Sequence, residues 1–562
     1  MNIKNTLTLI LVFITAICHA QVNYSQQKKI TCSKAAVVCA HPLAGKAGLQ
    51  ILKQGGNAFD AAIATQLALA VVYPGAGNIG GGGFMLAHLK NGKNISIDFR
   101  EMAPEKAERD MYLDKDGNPI PALSQQSQLA SGVPGTVAGL FTTLKYARLD
   151  FKKLIEPAIK LAANGFKITA AQAKSLNDSR DAFVKVNKHP VAFVKDTEWK
   201  EGDLLIQPEL AATLRRIRDN GAKGFYEGVT AKYIADEMHS GNGIISLEDL
   251  KNYKALERAV ISFDYKGYNI ISMPLPSSGG IILQQMMKMV ENRNIAAMGF
   301  QTPASVQLMV EAERRAYADR ANFLGDADFV KVPVKILLSD TYLGQRMSDF
   351  EPGKAGNSKA TGAGNIHVSE ETTHISIIDN DGNAVSVTTT LNDSYGSKTV
   401  VTGAGFIMNN EMDDFSIKEG FPNLYGAVGN AANAIASKKR MLSSMTPTIV
   451  LKNNKPYIVV GSPGGTTIST TVFQSLMNLL EFKLSPEDAV NKPKFHHQWL
   501  PDVIDVEKTF PLPVTDSLTQ MGYTVKTRGP IGRTELIVID QSKTKKITAI
   551  ADSRGDDDAE GF

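Results

Sequence analysis

Residues 371–392 read ETTHISIIDNDGNAVSVTTTLN, and the fold turns on this run. HISIID and AVSVTTT alternate side-chain character and are rich in β-branched residues, the pattern of paired strands. Between them, Asn380-Asp381-Gly382-Asn383 supplies the residue types of a tight reversal, so the segment predicts an antiparallel hairpin. A threonine pair, Thr372-Thr373, stands at its head. Cleavage before Thr372 would leave a hydroxyl and a free α-amine on one residue. An α-amine titrates near pH ~8, so at neutral pH a useful fraction is unprotonated and can take the hydroxyl proton directly or through a water. One residue would then supply both nucleophile and base. The plainer alternative is that Thr372-Thr373 are ordinary strand-entry residues, since threonine favours strands.

Outward from this hairpin, PTIVLKN and KPYIVVGS form a second one around Asn453-Asn454, and residues 467–480 carry a helical pattern. TELIVID with KITAIAD is expected as a last hairpin closing the chain, leaving Asp556-Asp557-Asp558 as an acidic tail. Upstream, 35–40, 84–89 and 95–99 read as strands. Helical periodicity runs through 43–53, 58–72, 135–146, 280–291 and 304–323, and 150–330 is expected to be mainly helical. These patterns alone give an α+β fold with antiparallel sheets.

The 562 residues contain no linker of Pro, Ser and Gly and no block of like charge, so one large core is expected. The 61 basic and 57 acidic residues are interleaved and leave a net charge of +4, without the basic stripe that a nucleic-acid surface needs. A small soluble substrate fits better. The opening MNIKNTLTLILVFITAICHAQ has a charged start, a short apolar run and a small-x-small site at Cys18-His19-Ala20, so residues 1–20 are expected to be an export signal and the protein periplasmic or secreted. Cys18 raises lipid attachment as an alternative, against which the bulky Ile17 argues. No later run is long and apolar enough for a stable membrane span. Cys32 and Cys39, held apart by an extended AAVVCA, are expected to be unpaired thiols. No metal-ligand spacing is present, and the adjacent His496-His497 make poor joint ligands.

Several long, irregular blocks carry a resemblance: TTHISIIDNDGNAVSVTTTLN, NNEMDDFS, RMLSSMTPTIV and GSPGG, with GGNAFDAA, GNIGGGGFM, DFREMAP, PSSGG and AYADRANFLGD upstream. Together they resemble the γ-glutamyltranspeptidase family over nearly all of the chain after about residue 30. The resemblance implies a four-layer αββα sandwich of N-terminal nucleophile hydrolase type. It also implies self-cleavage into a large piece, residues 21–371, and a small piece, residues 372–562, that stay together as a heterodimer.

By the same resemblance Thr372 is the nucleophile and Thr390 its supporting hydroxyl, on the paired strand. Gly464 and Gly465 form the oxyanion hole, where missing Cβ atoms and the following helix start suit amides that approach a ligand. A γ-glutamyl group carries an α-ammonium and an α-carboxylate on one carbon. Arg100 aligns with the family's carboxylate clamp, helped by Ser443 and Ser444, a task suited to guanidinium. Asn392, Glu411 and Asp414 match the positions that take the ammonium. Residues 419–430 resemble a lid loop in which Tyr425 would cover the bound group. The activity implied is transfer of a γ-glutamyl group, from glutathione or a similar amide, to water or to an amino acid or peptide. No metal or organic cofactor is required.

Two motif matches point elsewhere. Gly75-Ala76-Gly77-Asn78-Ile79-Gly80 fits G-x-G-x-x-G with Asp98 downstream, yet it leads into a strand instead of a helix and is read as a packing turn. Ser25-Gln26-Gln27-Lys28 fits S-x-x-K without the partner motifs and is read as accidental. Rival functions are a related acylase acting on glutaryl chains of β-lactams, and an uncleaved, inactive protein that binds peptides or amino acids.

Overall fold

The computed structural model describes residues 26–361, 372–424, 426–542 and 545–562. Its centre is two seven-stranded sheets, antiparallel at every pairing. In one, Thr373–Ile378 and Ala384–Thr390 are the third and fourth strands, flanked by Ala36–Cys39 and Gly82–His88. In the other, Lys455–Gly461 is central, between Thr448–Lys452 and Glu535–Asp540. The expected hairpin is present in the register Thr373↔Thr389 to Ile378↔Ala384. Its turn closes through Gly382 at φ +93 and through Asp379, which accepts the Asn383 N–H at 2.9 Å. Asn453 and Asn454 both take left-handed φ, as a tight two-residue hairpin demands.

Alternation along each strand sends residues to opposite faces, and both faces are buried. Val37, Cys39, Ile375 and Ile377 face the helices Pro42–Lys53, Ala58–Val72 and Phe151–Asn164. Ala36 and Val38 point the other way and meet Ile449, Val459 and Ile537 of the second sheet. The second sheet's outer face, with Val450, Ile458 and Val460, packs on Gly279–Glu291, Pro303–Phe323 and Thr467–Leu480. This is the αββα sandwich. Asn57 caps the wholly buried helix Ala58–Val72 in a capping box with Asp60, which explains the GGNAFDAA block.

Two expectations need correction. The chain does not close on the Glu535–Asp540 and Lys546–Ile550 hairpin, because Asp558–Gly561 adds an edge strand on Ala36–Cys39. Asp557 and Asp558 are accordingly buried, not part of a solvated tail. Charge density hid a strand whose backbone satisfies a sheet edge. Within 150–330, Ile261–Tyr265 and Tyr268–Ser272 form a further hairpin among the helices. Residues 1–25, with the expected export signal, Cys18 and Ser25, lie outside the described residues, as does Tyr425. Cys32 and Cys39 are both free thiols.

Candidate active site

Between the sheets, near the start of Thr373–Ile378, the interior turns polar. The His374 ring is fully buried, with Nδ1 2.8 Å from Thr388 Oγ1 and Nε2 3.2 Å from Ser376 Oγ. It lies flat against Gly461, where a Cβ would sit 2.1 Å from the ring. Burial pulls its pKa down to about 3, so the ring is a neutral spacer between the sheets. That contact sets the end of Lys455–Gly461, and with it the GSPGG loop, beside the head of the threonine strand.

Thr372 precedes that strand, 4% exposed, and one further step along the register places it opposite Thr390. Thr390 Oγ1 accepts the Asn392 N–H at 2.8 Å. Asn78 secures the far side, donating to Thr390 O at 2.8 Å and Thr389 Oγ1 at 3.2 Å. The glycine motif around Asn78 is therefore a packing turn: a Cβ on Gly81 would lie 2.1 Å from Thr390 O. Asp98, the ribose candidate of that match, instead bridges Arg258 at 2.7 Å and Arg440 at 2.8 Å.

Gly464 and Gly465 have φ of +132 and +50, conformations open to glycine. Neither amide donates a hydrogen bond to a described residue, while the Gly464 carbonyl accepts from Thr467 N at 2.8 Å. The helix Thr467–Leu480 begins directly after them, so two open amides sit at the positive end of a helix.

A small cleft unites these groups, lined by Thr372, Thr390, Gly465 and Thr466, and on its other walls by Arg100, Asn392, Glu411, Asp414, Ser443 and Ser444. Of the expected site residues, Gly464 is set back from the lining and Tyr425 is not described. Asn423 and Ala427, on either side of Tyr425, do line the cavity. The loop is tied to the floor: Asn423 Nδ2 donates to Asp414 Oδ1 at 2.8 Å, and Leu424 N–H to Asp413 Oδ2 at 2.6 Å.

Arg100 is 1% exposed and forms no surface pair. Its Nη1 meets Glu411 Oε2 at 2.7 Å and Nη2 meets Asp414 Oδ2 at 2.5 Å. The arginine expected to take the ligand's carboxylate and the acids expected to take its ammonium, two groups on one carbon, thus touch one another. Burial pushes the Glu411 and Asp414 carboxyls up, and Arg100 opposes the shift. Burial also raises Glu101 to about 8, against Arg100, and neither Glu101 oxygen has a hydrogen-bond partner among the described residues. Glu411 Oε1 is buried and unpartnered too, an acceptor left over in the acid pair.

Residues that the sequence reading left without a role also appear here. Arg320, inside the AYADRANFLGD block, lines the cavity. Ser277 and Ser278 of PSSGG hold the serine loop: Ser278 N–H and Oγ donate to Ser443 O at 2.8 and 2.7 Å. Both lay within quoted blocks, but only a tertiary contact reveals their use. Among the described residues, no group of three or more His, Cys, Asp and Glu could hold a metal ion.

Two facing antiparallel sheets between helix layers, with a threonine heading a central strand beside open glycine amides, define an N-terminal nucleophile hydrolase scaffold. A family model described as gamma-glutamyltranspeptidase matches residues 44–562, and the chain belongs to that family. It is 47% identical over 501 residues, 88% of this chain and 86% of the relative, to the glutathione hydrolase proenzyme of Escherichia coli strain K12. A crystal structure of cephalosporin acylase from Bacillus halodurans superposes with a TM-score of 0.84 at 26% identity, covering 96% of this chain and 97% of that one. The gamma-glutamyltranspeptidase of Helicobacter pylori aligns at 47% identity and a TM-score of 0.55, over 56% of this chain and 91% of its own.

Proposed function

We propose that this protein is a self-processing γ-glutamyltransferase and glutathione hydrolase, exported and cleaved before Thr372 into residues 21–371 and 372–562. The observation that carries this reading is the pairing, in one cavity, of a strand-head threonine with a buried arginine–diacid cluster. A ligand bearing an ammonium and a carboxylate on one carbon needs both signs of charge within a few ångströms. A glutaryl chain has no ammonium, so an acylase pocket gains nothing from buried Glu411 and Asp414, and the greater identity to the glutathione hydrolase favours the same side.

In the mechanism that follows, Thr372 Oγ–H passes its proton to its own α-amine as Oγ bonds to the γ-carbonyl carbon. The carbonyl oxygen becomes an anion facing the Gly464 and Gly465 amides, with the helix start adding positive potential. The C–N bond breaks as the α-ammonium returns the proton to the leaving amine, leaving a γ-glutamyl ester on Thr372. Water, or the amine of an amino acid or dipeptide, then attacks the ester and restores Thr372. Thr390 holds the Thr372 hydroxyl in line, and the 419–430 loop limits access of water. No step draws on a metal or organic cofactor.

The test is incubation with glutathione, with and without glycylglycine, and product analysis by mass spectrometry. Glutamate with cysteinylglycine, and γ-glutamyl-glycylglycine when the acceptor is present, is the expected result. Release of neither would overturn the reading. Faster cleavage of a glutaryl amide than of a γ-glutamyl amide would transfer it to the acylase class.

A further inference from the structure

Behind the glycine loop lies a buried group of polar side chains outside the cleft lining, and it includes His496 of the adjacent histidine pair. Gly464 and Gly465 have no side chains to fix their amides, and glycine backbone adopts many conformations at similar energy. An oxyanion donor works only when it is held close to one geometry. What holds these two must come from their neighbours.

Thr466 follows them directly and precedes the helix Thr467–Leu480. A threonine at a helix start ordinarily caps it, accepting a hydrogen bond from an amide of the first turn. The Thr466 side chain makes no capping bond, and its hydroxyl donates instead to Gln498 Oε1 at 2.5 Å. Its carbonyl accepts the Tyr317 hydroxyl. Gln498 is oriented in turn: Nε2 donates to Leu500 O at 3.2 Å, and Oε1 lies 3.0 Å from His496 Nε2. Burial pulls the His496 pKa down to about 3, so the ring is neutral, and the acceptor opposite Nε2 places its proton there. Nδ1 then accepts from the Thr470 hydroxyl at 2.8 Å, within the first turn of the same helix.

The outer side of this support is held as firmly. Trp499, next to Gln498, is buried at φ +70, a left-handed conformation that bulky residues rarely adopt. Ser358 O accepts its Nε1–H at 3.0 Å, and His497 Nδ1 accepts its backbone N–H at 3.1 Å. Strain of this kind persists only where surrounding contacts fix it, and it concentrates at functional sites. Gln498, His496 and Tyr317 are buried and none of them lines the cleft, so any effect they have on the reaction passes through Thr466.

We propose that Gln498, oriented by His496, is a positioning residue for the Gly464 and Gly465 amides, acting through the Thr466 hydroxyl. This inference rests on the function proposed above. The oxyanion forms only after the substrate is bound, so a slackened glycine loop slows the chemical steps and leaves binding nearly untouched.

Gln498→Leu and Thr466→Val each break the hydrogen bond between these residues, and Thr466→Ser keeps it. Rates are measured on γ-glutamyl-p-nitroanilide and counted per cleaved chain. Each of the first two variants should lower kcat roughly tenfold, a fraction of what loss of an oxyanion donor costs, with KM within about twofold of wild type. Thr466→Ser should retain kcat within about threefold. The double variant should be no slower than the slower single one, because both remove the same contact. Losses that multiply in the double variant, a raised KM at unchanged kcat, or wild-type kcat in both single variants would overturn the proposal. If Gln498→Leu fails to fold, the threonine pair decides: a kcat loss in Thr466→Val that Thr466→Ser lacks supports it, and equal kcat overturns it. An inactive wild type would overturn the function itself, whereas an active wild type with any of the contrary results would overturn only this inference.

Discussion

Asp414→Asn separates recognition of the substrate ammonium from everything else in the cavity. Asp414 Oδ2 pairs with Arg100 at 2.5 Å and Oδ1 accepts from Asn423 at 2.8 Å, in a side chain only 13% exposed. Asparagine keeps the shape and one acceptor but removes the charge. An ammonium about 4 Å from this carboxylate, at an effective dielectric constant of about 20, gains roughly 4 kcal/mol. Desolvation of the ammonium offsets close to half, which brings the net to about 2–3 kcal/mol, in line with hydrogen bonds to charged groups. The variant should therefore lose about 30- to 150-fold in kcat/KM on γ-glutamyl-p-nitroanilide. Glutaryl-p-nitroanilide has no ammonium and should lose less than about threefold once shared effects on the Arg100 pair are divided out. Initial rates on both substrates over a concentration series give the ratio. An equal loss on the two would refute the placement of the ammonium at Asp414.

Other perturbations follow from single contacts. Arg100→Met strands buried Glu411 and Asp414, so unfolding by urea should show a loss of about 3–5 kcal/mol that shrinks at low pH, where the carboxyls are protonated. Gly461→Ala drives a methyl to within 2.1 Å of the His374 ring, and the forced repacking should cost about 2–3 kcal/mol, read as a lower thermal midpoint. Asp413 is buried beneath Leu424 with its pKa raised to about 7, above the ordinary carboxylate value, by burial against hydrogen bonds from Ser124 and Leu424. A raised acid contributes stability that is full below the unfolded pKa of about 4 and is lost as pH rises through about 7. Asp413→Asn should flatten that part of the stability–pH curve, by at most about 4 kcal/mol; an unchanged slope would assign it to other groups.

What the sequence could disclose followed from how local each signal is. The hairpin at Thr373–Thr390 has strand alternation on both sides of an Asn/Asp/Gly turn, all within one short window, and the structure reproduces it. Asp558–Gly561 escaped because its pairing partner, Ala36–Cys39, lies at the opposite end of the chain, and acidic side chains disguised a sheet edge. In the site, Arg100, Glu411 and Asp414 were legible through the resemblance, but their direct contact was not, since they come from segments far apart in sequence. Arg320 and Ser278 illustrate the same limit. Each sits in a quoted block, and only the packing of Pro303–Phe323 against the serine loop gives it a partner and a place.

The most direct test of the central claim is N-terminal sequencing with intact mass analysis of the purified protein beside Thr372→Ala. The account predicts two fragments in the wild type, the smaller beginning at Thr372, and one uncut chain in the variant. A single chain in both would remove the amine base from the mechanism and contradict the account.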